Sequence, residues 1–347
     1  MYRRESLEIR IEKARQRRTS MFRLTLRRMM RNRNAVLGLG IVTTVSLLAI
    51  AAPIIAPKED SSFQRFRLLP SPTQQDLSNT QERGVIFSLI GNTYSYVRVL
   101  VSGESGDVDI SKGLDSEHLL GTDHLGRDIL SRIVWGAQIS LLVGVVSQAI
   151  ACLIGVPLGA ISGYYGGKID HLVMRLADIM FSFPFLLFAI VMVAVLGDTC
   201  VGRAWGGLLL VFLVLGVIGW APKARLVRAS VLSIKEEEYV EAARAMGASN
   251  TRIIVSHILP NCLSPIIVHT SLAMASAILV EAALSFFGLG VSPPTVTWGS
   301  MLASARQYMR TAPHMFMAPG LAITITVFGF NLLGDGLRDA IDPRLKK

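Results

Sequence analysis

Hydrophobic and polar positions alternate along this chain in long blocks rather than residue by residue. Six blocks are almost wholly apolar and, at sixteen to twenty-three residues, approach the length of about 20 residues that a helix needs to cross a bilayer core. Polar segments rich in Gly, Pro and charged residues separate them. The predicted spans are 35–55, 139–161, 179–196, 205–220, 263–284 and 315–333. This pattern predicts an all-α integral membrane protein with six transmembrane helices.

The polar segments between the spans predict how the chain is organised. A long extracytoplasmic loop is expected after the first helix, and a polar inner loop is expected between the fourth and fifth spans. The predicted division is a basic N-terminal segment 1–34, a first transmembrane helix 35–56, an outer loop 57–135, a five-helix core 136–335 that contains the inner loop 222–262, and a tail 336–347.

Composition and charge agree with a membrane location and set the orientation. Hydrophobic residues make up 51% of the 347 residues and charged residues only 17%, below the quarter typical of soluble domains. Residues 1–34 carry twelve Lys or Arg and three Glu, so most of the net charge of +10 precedes the first span. Positive charge favours the cytoplasmic side and anionic lipid, which predicts that both termini are cytoplasmic. The same rule predicts that Lys223, Arg225 and Arg228 mark the inner side, and nucleic acid is not an expected partner.

The inner loop between the fourth and fifth spans carries the most informative polar pattern. Residues 236–261 predict two short helices around a turn at Gly247, where a left-handed helix end needs no Cβ. Tyr239, Ala243 and Met246 are spaced to form one narrow apolar stripe on the first helix.

The second helix of this loop is expected to begin with a Ser249 or Asn250 cap and to stop at Pro260. A helix–turn–helix of this kind can also be a DNA-binding module, but apolar spans on both sides favour a partner at the membrane surface.

These residues resemble the EAA loop of permease subunits of ATP-binding-cassette importers, in which EAA is followed by a Gly and then by Leu-Pro. The matching residues are Glu241, Ala242, Ala243, Gly247, Leu259 and Pro260. In that family the loop is the coupling element that docks in a groove of the cytoplasmic ATPase. The resemblance therefore implies that 222–262 is a coupling loop, with Tyr239, Glu241, Ala242, Ala243, Met246, Gly247 and Pro260 as its coupling residues.

Three further stretches are similar to the C-type permeases of dipeptide and oligopeptide importers. They are GTDHLGRDILSRIVWGAQISL at 121–141, SFFGLGVSPPTVTWGSML at 285–302 and FNLLGDGLRDAIDPRL at 330–345. With the EAA loop they cover most of residues 118–345 in the order that this family shows. The outer loop at 57–117 is longer than the family pattern, and residues 82–112 match no motif of it.

The resemblance implies the type I importer permease fold and a bacterial or archaeal plasma-membrane location. It also implies that this chain forms half of a peptide translocation pathway. The implied partners are a second homologous permease, two ATP-binding subunits and an extracytoplasmic solute-binding protein. The sequence has no phosphate-binding loop, HExxH or GxSxG motif, so no cofactor is expected in this chain, and ATP and Mg²⁺ would be bound by the partner ATPases.

Alternatives remain open at two points. Glu281, an acidic residue in the predicted fifth span, is either a pathway or gating residue or a structural hydrogen-bonding group between helices. The solute is expected to be a peptide, while related permeases carry nickel or other small solutes. A stand-alone channel or secondary transporter is the remaining functional alternative.

Overall fold

A computed structural model describes residues 27–56, 119–124, 127–291 and 295–341 of the chain. Most of the basic segment 1–34, the outer-loop residues 57–118 and the tail residues 342–347 lie outside the described residues, as do Leu125 and Gly126. The part described is built from helices. They are α1 Arg33–Ile50, α2 Ala52–Ile55, α3 Ile129–Tyr165, α4 Gly167–Ser182, α5 Phe185–Leu196, α6 Cys200–Arg203, α7 Leu208–Ile234, α8 Glu238–Ala245, α9 Asn250–Arg252, α10 Leu259–Phe286, α11 Trp298–Ala305 and α12 Pro313–Ile341.

Five helical segments among these are long and apolar enough to cross a membrane, and the total is six if the bent pair α4–α5 is counted as one broken span. The fold class predicted from the sequence is therefore confirmed. The five are Arg33–Ile50, Ile129–Tyr165, Cys200–Ile234, Asn250–Phe286 and Pro313–Ile341. Most of them extend beyond the predicted apolar blocks because helical hydrogen bonding continues into polar residues at the membrane surface.

The third predicted span, 179–196, is not one continuous helix. α4 ends at Ser182, α5 begins at Phe185, and the two helices meet at an angle of 91°. Phe183 has extended backbone angles, as expected for a residue that precedes a proline. Pro184 also lacks an N–H and so cannot donate a helical hydrogen bond across this break.

The second span also differs from its prediction. The predicted span 139–161 is the middle of a longer element, because α3 is a single helix of 37 residues. It begins where Asp128 accepts a hydrogen bond from the Ser131 backbone N–H at 2.7 Å. The predicted start of the fourth span at Trp205 lies within the segment Cys200–Ile234, but Trp205 and Gly206 both have positive φ angles, so the continuous helix α7 begins at Leu208.

Close packing of α3 against α7 forms the centre of the bundle. Gly155, Gly159 and Gly163 lie on one face of α3, four residues apart, against the α7 backbone between Trp220 and Val231. Small residues at this spacing allow two helices in a membrane to approach until their backbones touch. The stripe was not used in the sequence analysis, although GVPLGAISG is visible at 155–163.

Contacts at the two ends of the bundle fix the direction of the first helix. Asn32 donates from Nδ2 to Asp339 Oδ2 at 3.0 Å, so the beginning of α1 lies beside the end of α12. At the other end, Trp135 donates from Nε1 to the Ala56 carbonyl at 3.0 Å. The two ends of the long outer loop are therefore held together, and the ends of the described chain lie on one side of the bundle.

Candidate functional site

The predicted coupling helix is α8, which lies in the loop that connects the end of α7 to the beginning of α10. Val240 is fully buried and belongs to an apolar cluster with Val227, Val231 and Ile253. Ala243, one turn further on, is 3% exposed. This inward face anchors α8 to the ends of the membrane-spanning helices.

The predicted apolar stripe of α8 is divided in the structure. Ala243 faces inward, whereas Tyr239 is 43% and Met246 is 82% exposed. Val240 and Ala243 form the buried face because residues three apart share a side of a helix. Glu241 and Ala242 are exposed, so the outward surface combines Tyr239, Glu241, Ala242 and Met246. We call these four residues the coupling surface.

The turn after α8 has the geometry that the sequence predicts. Gly247 has a φ of +78°, and its N–H donates to the Arg244 carbonyl at 3.0 Å. The Ala248 N–H reaches the Ala243 carbonyl at 3.1 Å, which completes a Schellman helix end. A side chain at Gly247 would meet no atom within 4 Å, so the requirement for glycine here is conformational rather than steric.

The second helix of the loop begins as expected but does not stop at Pro260. Ser249 accepts from the Arg252 N–H at 3.4 Å and caps α9. Residues Ile253–Ile258 then form a turn of π-helix that leads directly into α10. Pro260 lies in the first turn of α10, directly after the π-helical turn. Pro260 therefore does not end the loop helix, which continues into the fifth span Asn250–Phe286.

Two hydrogen bonds connect the coupling loop to the neighbouring membrane helices. Asn261 of α10 donates from Nδ2 to the Tyr239 hydroxyl at 2.9 Å, and Tyr164 of α3 donates to Asn250 Oδ1 at 2.8 Å. Burial and the nearby Glu237 carboxylate raise the pKa of Tyr239, so its hydroxyl stays neutral at physiological pH. A displacement of α8 would therefore move the ends of α3 and α10.

Glu281 lies in a closed environment near the end of α10. Its side chain is fully buried, and Oε1 accepts a hydrogen bond from Ser285 of the same helix at 2.7 Å. Gly299 of α11 lies beside this carboxylate, since a Cβ there would be 3.2 Å from the same oxygen. Oε2 is buried and has no hydrogen-bond partner among the described residues. Both alternatives for Glu281, a pathway or gating group and a structural group between helices, stay predictions.

One polar group inside the spans has a partner that was not predicted from the sequence. Lys223 is 2% exposed and donates to Gln148 Oε1 of α3 at 2.5 Å. It lies well inside α7, which continues to Ile234. Gln148 within an apolar block was the signal that could have indicated this contact. That Lys223 marks the cytoplasmic side stays a prediction.

An ion pair also connects the beginning of α4 to the last part of α7. Arg228 donates from Nε and Nη2 to the two oxygens of Asp170, at 2.5 and 2.6 Å. Ser162 at the end of α3 donates to the same carboxylate at 2.5 Å. Bidentate pairing of this type fixes both distance and orientation, so α3, α4 and α7 are held together at this point.

Comparison with known proteins identifies the family. Residues 155–347 match the family model of the binding-protein-dependent transport system inner membrane component. Residues 20–80 match the N-terminal TM domain of oligopeptide transport permease C. The chain belongs to the family of binding-protein-dependent importer permeases. It is a multi-pass permease subunit of the inner membrane.

Relatives extend this similarity over nearly the whole chain. A dipeptide transport system permease protein of Alkalihalophilus pseudofirmus is 38% identical over 94% of this chain and 91% of its own length. A glutathione transport system permease protein of Pectobacterium atrosepticum is 45% identical over 68% of this chain and 76% of its own. An inward-facing methionine ABC transporter structure matches with a TM-score of 0.51 and 20% identity, over 62% of this chain and 98% of that one, and supports the fold alone.

Proposed function

We propose that this chain is one of two homologous permease subunits of an ATP-driven peptide importer. Each subunit forms half of the translocation pathway. Two cytoplasmic ATPase subunits bind ATP and Mg²⁺, and a solute-binding protein delivers the peptide from outside. The coupling surface on α8 is the contact with one ATPase. Both termini of this chain lie on the cytoplasmic side, in a bacterial or archaeal plasma membrane.

The observation that carries this proposal is an exposed coupling surface on a helix that is itself firmly anchored. Tyr239 and Met246 present apolar area, and Glu241 presents a charge beside them. Val240 holds the helix to the bundle from below. A surface that is exposed, amphipathic and rigidly backed suits a permanent protein partner.

The anchoring contacts also supply a mechanism for coupling. When ATP binding closes the two ATPases, each ATPase displaces the α8 helix docked in its groove. Because α8 is fixed to the ends of α3, α7 and α10, these helices move with it as a body. ATP binding thereby favours one of two arrangements of the pathway, and hydrolysis restores the other.

Peptides are the solute class that the relatives support. The named relatives carry dipeptides or glutathione, itself a short peptide, and two of them cover more than nine tenths of this chain. We therefore expect a solute with one or more free carboxylates and a peptide bond.

Purification of the tagged chain from native membranes in mild detergent tests the proposal. We expect a second permease, one or two ATPases and a solute-binding protein in the purified complex, with peptide released when the binding protein is denatured. Nickel or another solute in place of peptide would refute the solute class. Recovery of this chain alone, as a homo-oligomer without an ATPase, would refute the importer and favour a channel.

A further inference from the structure

A cavity that is open over much of its extent lies between α3, α5, α7 and α10. Its volume is about 360 Å³, within the range of roughly 300–1,000 Å³ found for small-molecule sites. Most of its lining is apolar, from Phe185, Leu215 and Val280 among others. Four polar side chains from three helices also line it, namely Gln148 of α3, Lys223 of α7, and His269 and Ser276 of α10. An apolar cavity with a few convergent polar groups is the common form of a binding site.

Lys223 is the charged group of this cavity, and its surroundings leave its charge uncompensated. Its side chain is 2% exposed and lies in a helix that is apolar enough to span the membrane. Within the described ranges, no carboxylate lies within the 4.0 Å of an ion pair, and the neutral Gln148 oxygen is its hydrogen-bond acceptor. An ammonium group has three N–H donors, so two remain for a ligand.

Gln148 and His269 complete a site for an anion. Gln148 fixes the position of the Lys223 ammonium through its carbonyl oxygen at 2.5 Å. The Nδ1 atom of His269 is buried and has no hydrogen-bond partner among the described residues. A buried polar atom without a partner costs free energy, and a ligand that accepts or donates a hydrogen bond there would recover it.

We propose that Lys223, Gln148 and His269 form a binding site for a carboxylate of the transported solute. The inference rests on the proposed function, since it names the chemical group of the solute that this half of the pathway recognises. A carboxylate oxygen accepts from the two remaining Lys223 donors, and the rest of the solute occupies the apolar part of the cavity. A charge inside a membrane span is costly without an anion.

The size of the cavity favours the solute over an acidic side chain from the second permease. Its volume corresponds to about a dozen water molecules at roughly 30 Å³ each, which is more than one carboxylate side chain would fill. The test below separates these two sources of the carboxylate.

Transport by the whole purified complex in liposomes is the first measurement, with the binding protein outside and ATP inside. The probe is an equimolar mixture of Ala-Ala, Leu-Gly and glutathione. For Lys223→Met we expect import to fall about tenfold or more, as for loss of a charged hydrogen bond, while binding-protein-stimulated ATP hydrolysis stays within twofold. Lys223→Arg keeps the charge and should retain most of the import. The control is Lys168→Met, which removes an exposed lysine at the inner surface.

The results of this measurement separate the two proposals. If the wild-type complex imports none of the three peptides, the proposed function fails, and this inference fails with it. If the wild type imports peptide and Lys223→Met imports it at the same rate, the carboxylate site alone is refuted.

Carbodiimide coupling of the wild-type complex is the second measurement, and it needs no variant. A membrane-permeant carbodiimide joins a bound carboxylate to the Lys223 amine as an amide, and the reagent takes up the released water as a urea. Mass spectrometry should find a peptide adduct on Lys223, and none when the C-terminal amides of Ala-Ala and Leu-Gly are the probe. A cross-link from Lys223 to the second permease would overturn the proposal, and so would an unmodified Lys223.

Discussion

Gly155 of α3 lies directly against the backbone of Trp220 in α7, so close that a Cβ at Gly155 would be 2.6 Å from the Trp220 carbonyl oxygen. The same Cβ would lie 2.9 Å from Cβ of Lys223. The position of Lys223 in the cavity therefore depends on how closely these two helices approach. This contact connects the packing of the bundle to the polar site inside it.

The first prediction concerns that contact. Gly155→Ala should destabilise the purified protein by about 1–3 kcal/mol, because backbone atoms must move apart to admit the methyl group. Thermal unfolding of the protein in detergent measures the effect. Gly40→Ala is the matched control, since a Cβ there meets nothing within 4 Å in an exposed part of α1. Equal melting temperatures for the two variants would contradict the close approach.

A second prediction concerns the turn after the coupling helix. Gly247→Val should cost about 1–2 kcal/mol in local strain, because a β-branched residue resists a φ of +78°. The protein should remain in the membrane, but uptake should be lost because the strained turn displaces α8. Gly288→Val is the control, since Gly288 has nearly the same φ, +79°, with similar free space in another loop. Normal uptake in Gly247→Val would contradict the requirement for this turn.

The third prediction tests the coupling surface itself. Glu241→Lys reverses an exposed charge between Tyr239 and Met246, so the ATPase should be lost from the complex during purification. Glu236→Lys makes the same change at an exposed residue just before α8 and should retain the ATPase. The ratio of ATPase to permease after affinity purification gives the answer. If both variants retain it equally, Glu241 does not contact the ATPase.

A fourth prediction concerns the ion pair between α4 and α7. Asp170→Asn should destabilise the protein by about 1.5–3 kcal/mol, since Arg228 loses a bidentate partner that is only 17% exposed. The pair Asp198–Arg203 is the control, because its side chains are 98% and 73% exposed, and Asp198→Asn should cost under ~1 kcal/mol. Thermal unfolding of both variants compares them. If the two variants lose similar amounts of unfolding free energy, the bidentate geometry at Asp170 contributes little to stability.

The sequence by itself determined that the chain is an all-helical membrane protein and where its long apolar segments lie. A long uncharged segment predicts a membrane-spanning helix without knowledge of its neighbours. The reason is that lipid offers no hydrogen bonds, so each segment must satisfy its own backbone groups. The left-handed turn at Gly247 was also predictable from the sequence, since a left-handed helix end is a local property of the backbone. The family motifs around these segments then indicated a permease.

Tertiary structure alone decided what the polar residues within the spans contact. Lys223 was predicted to mark the inner side, and the structure adds that it is buried within the bundle, where Gln148 from a distant part of the chain meets it. Glu281 was predicted to be either a pathway group or a structural one, and the structure adds that it is fully buried beside Ser285 and Gly299, while its role stays a prediction. The burial and partners of a side chain depend on helices remote in sequence, whereas a hydropathy pattern describes only the segment that contains it.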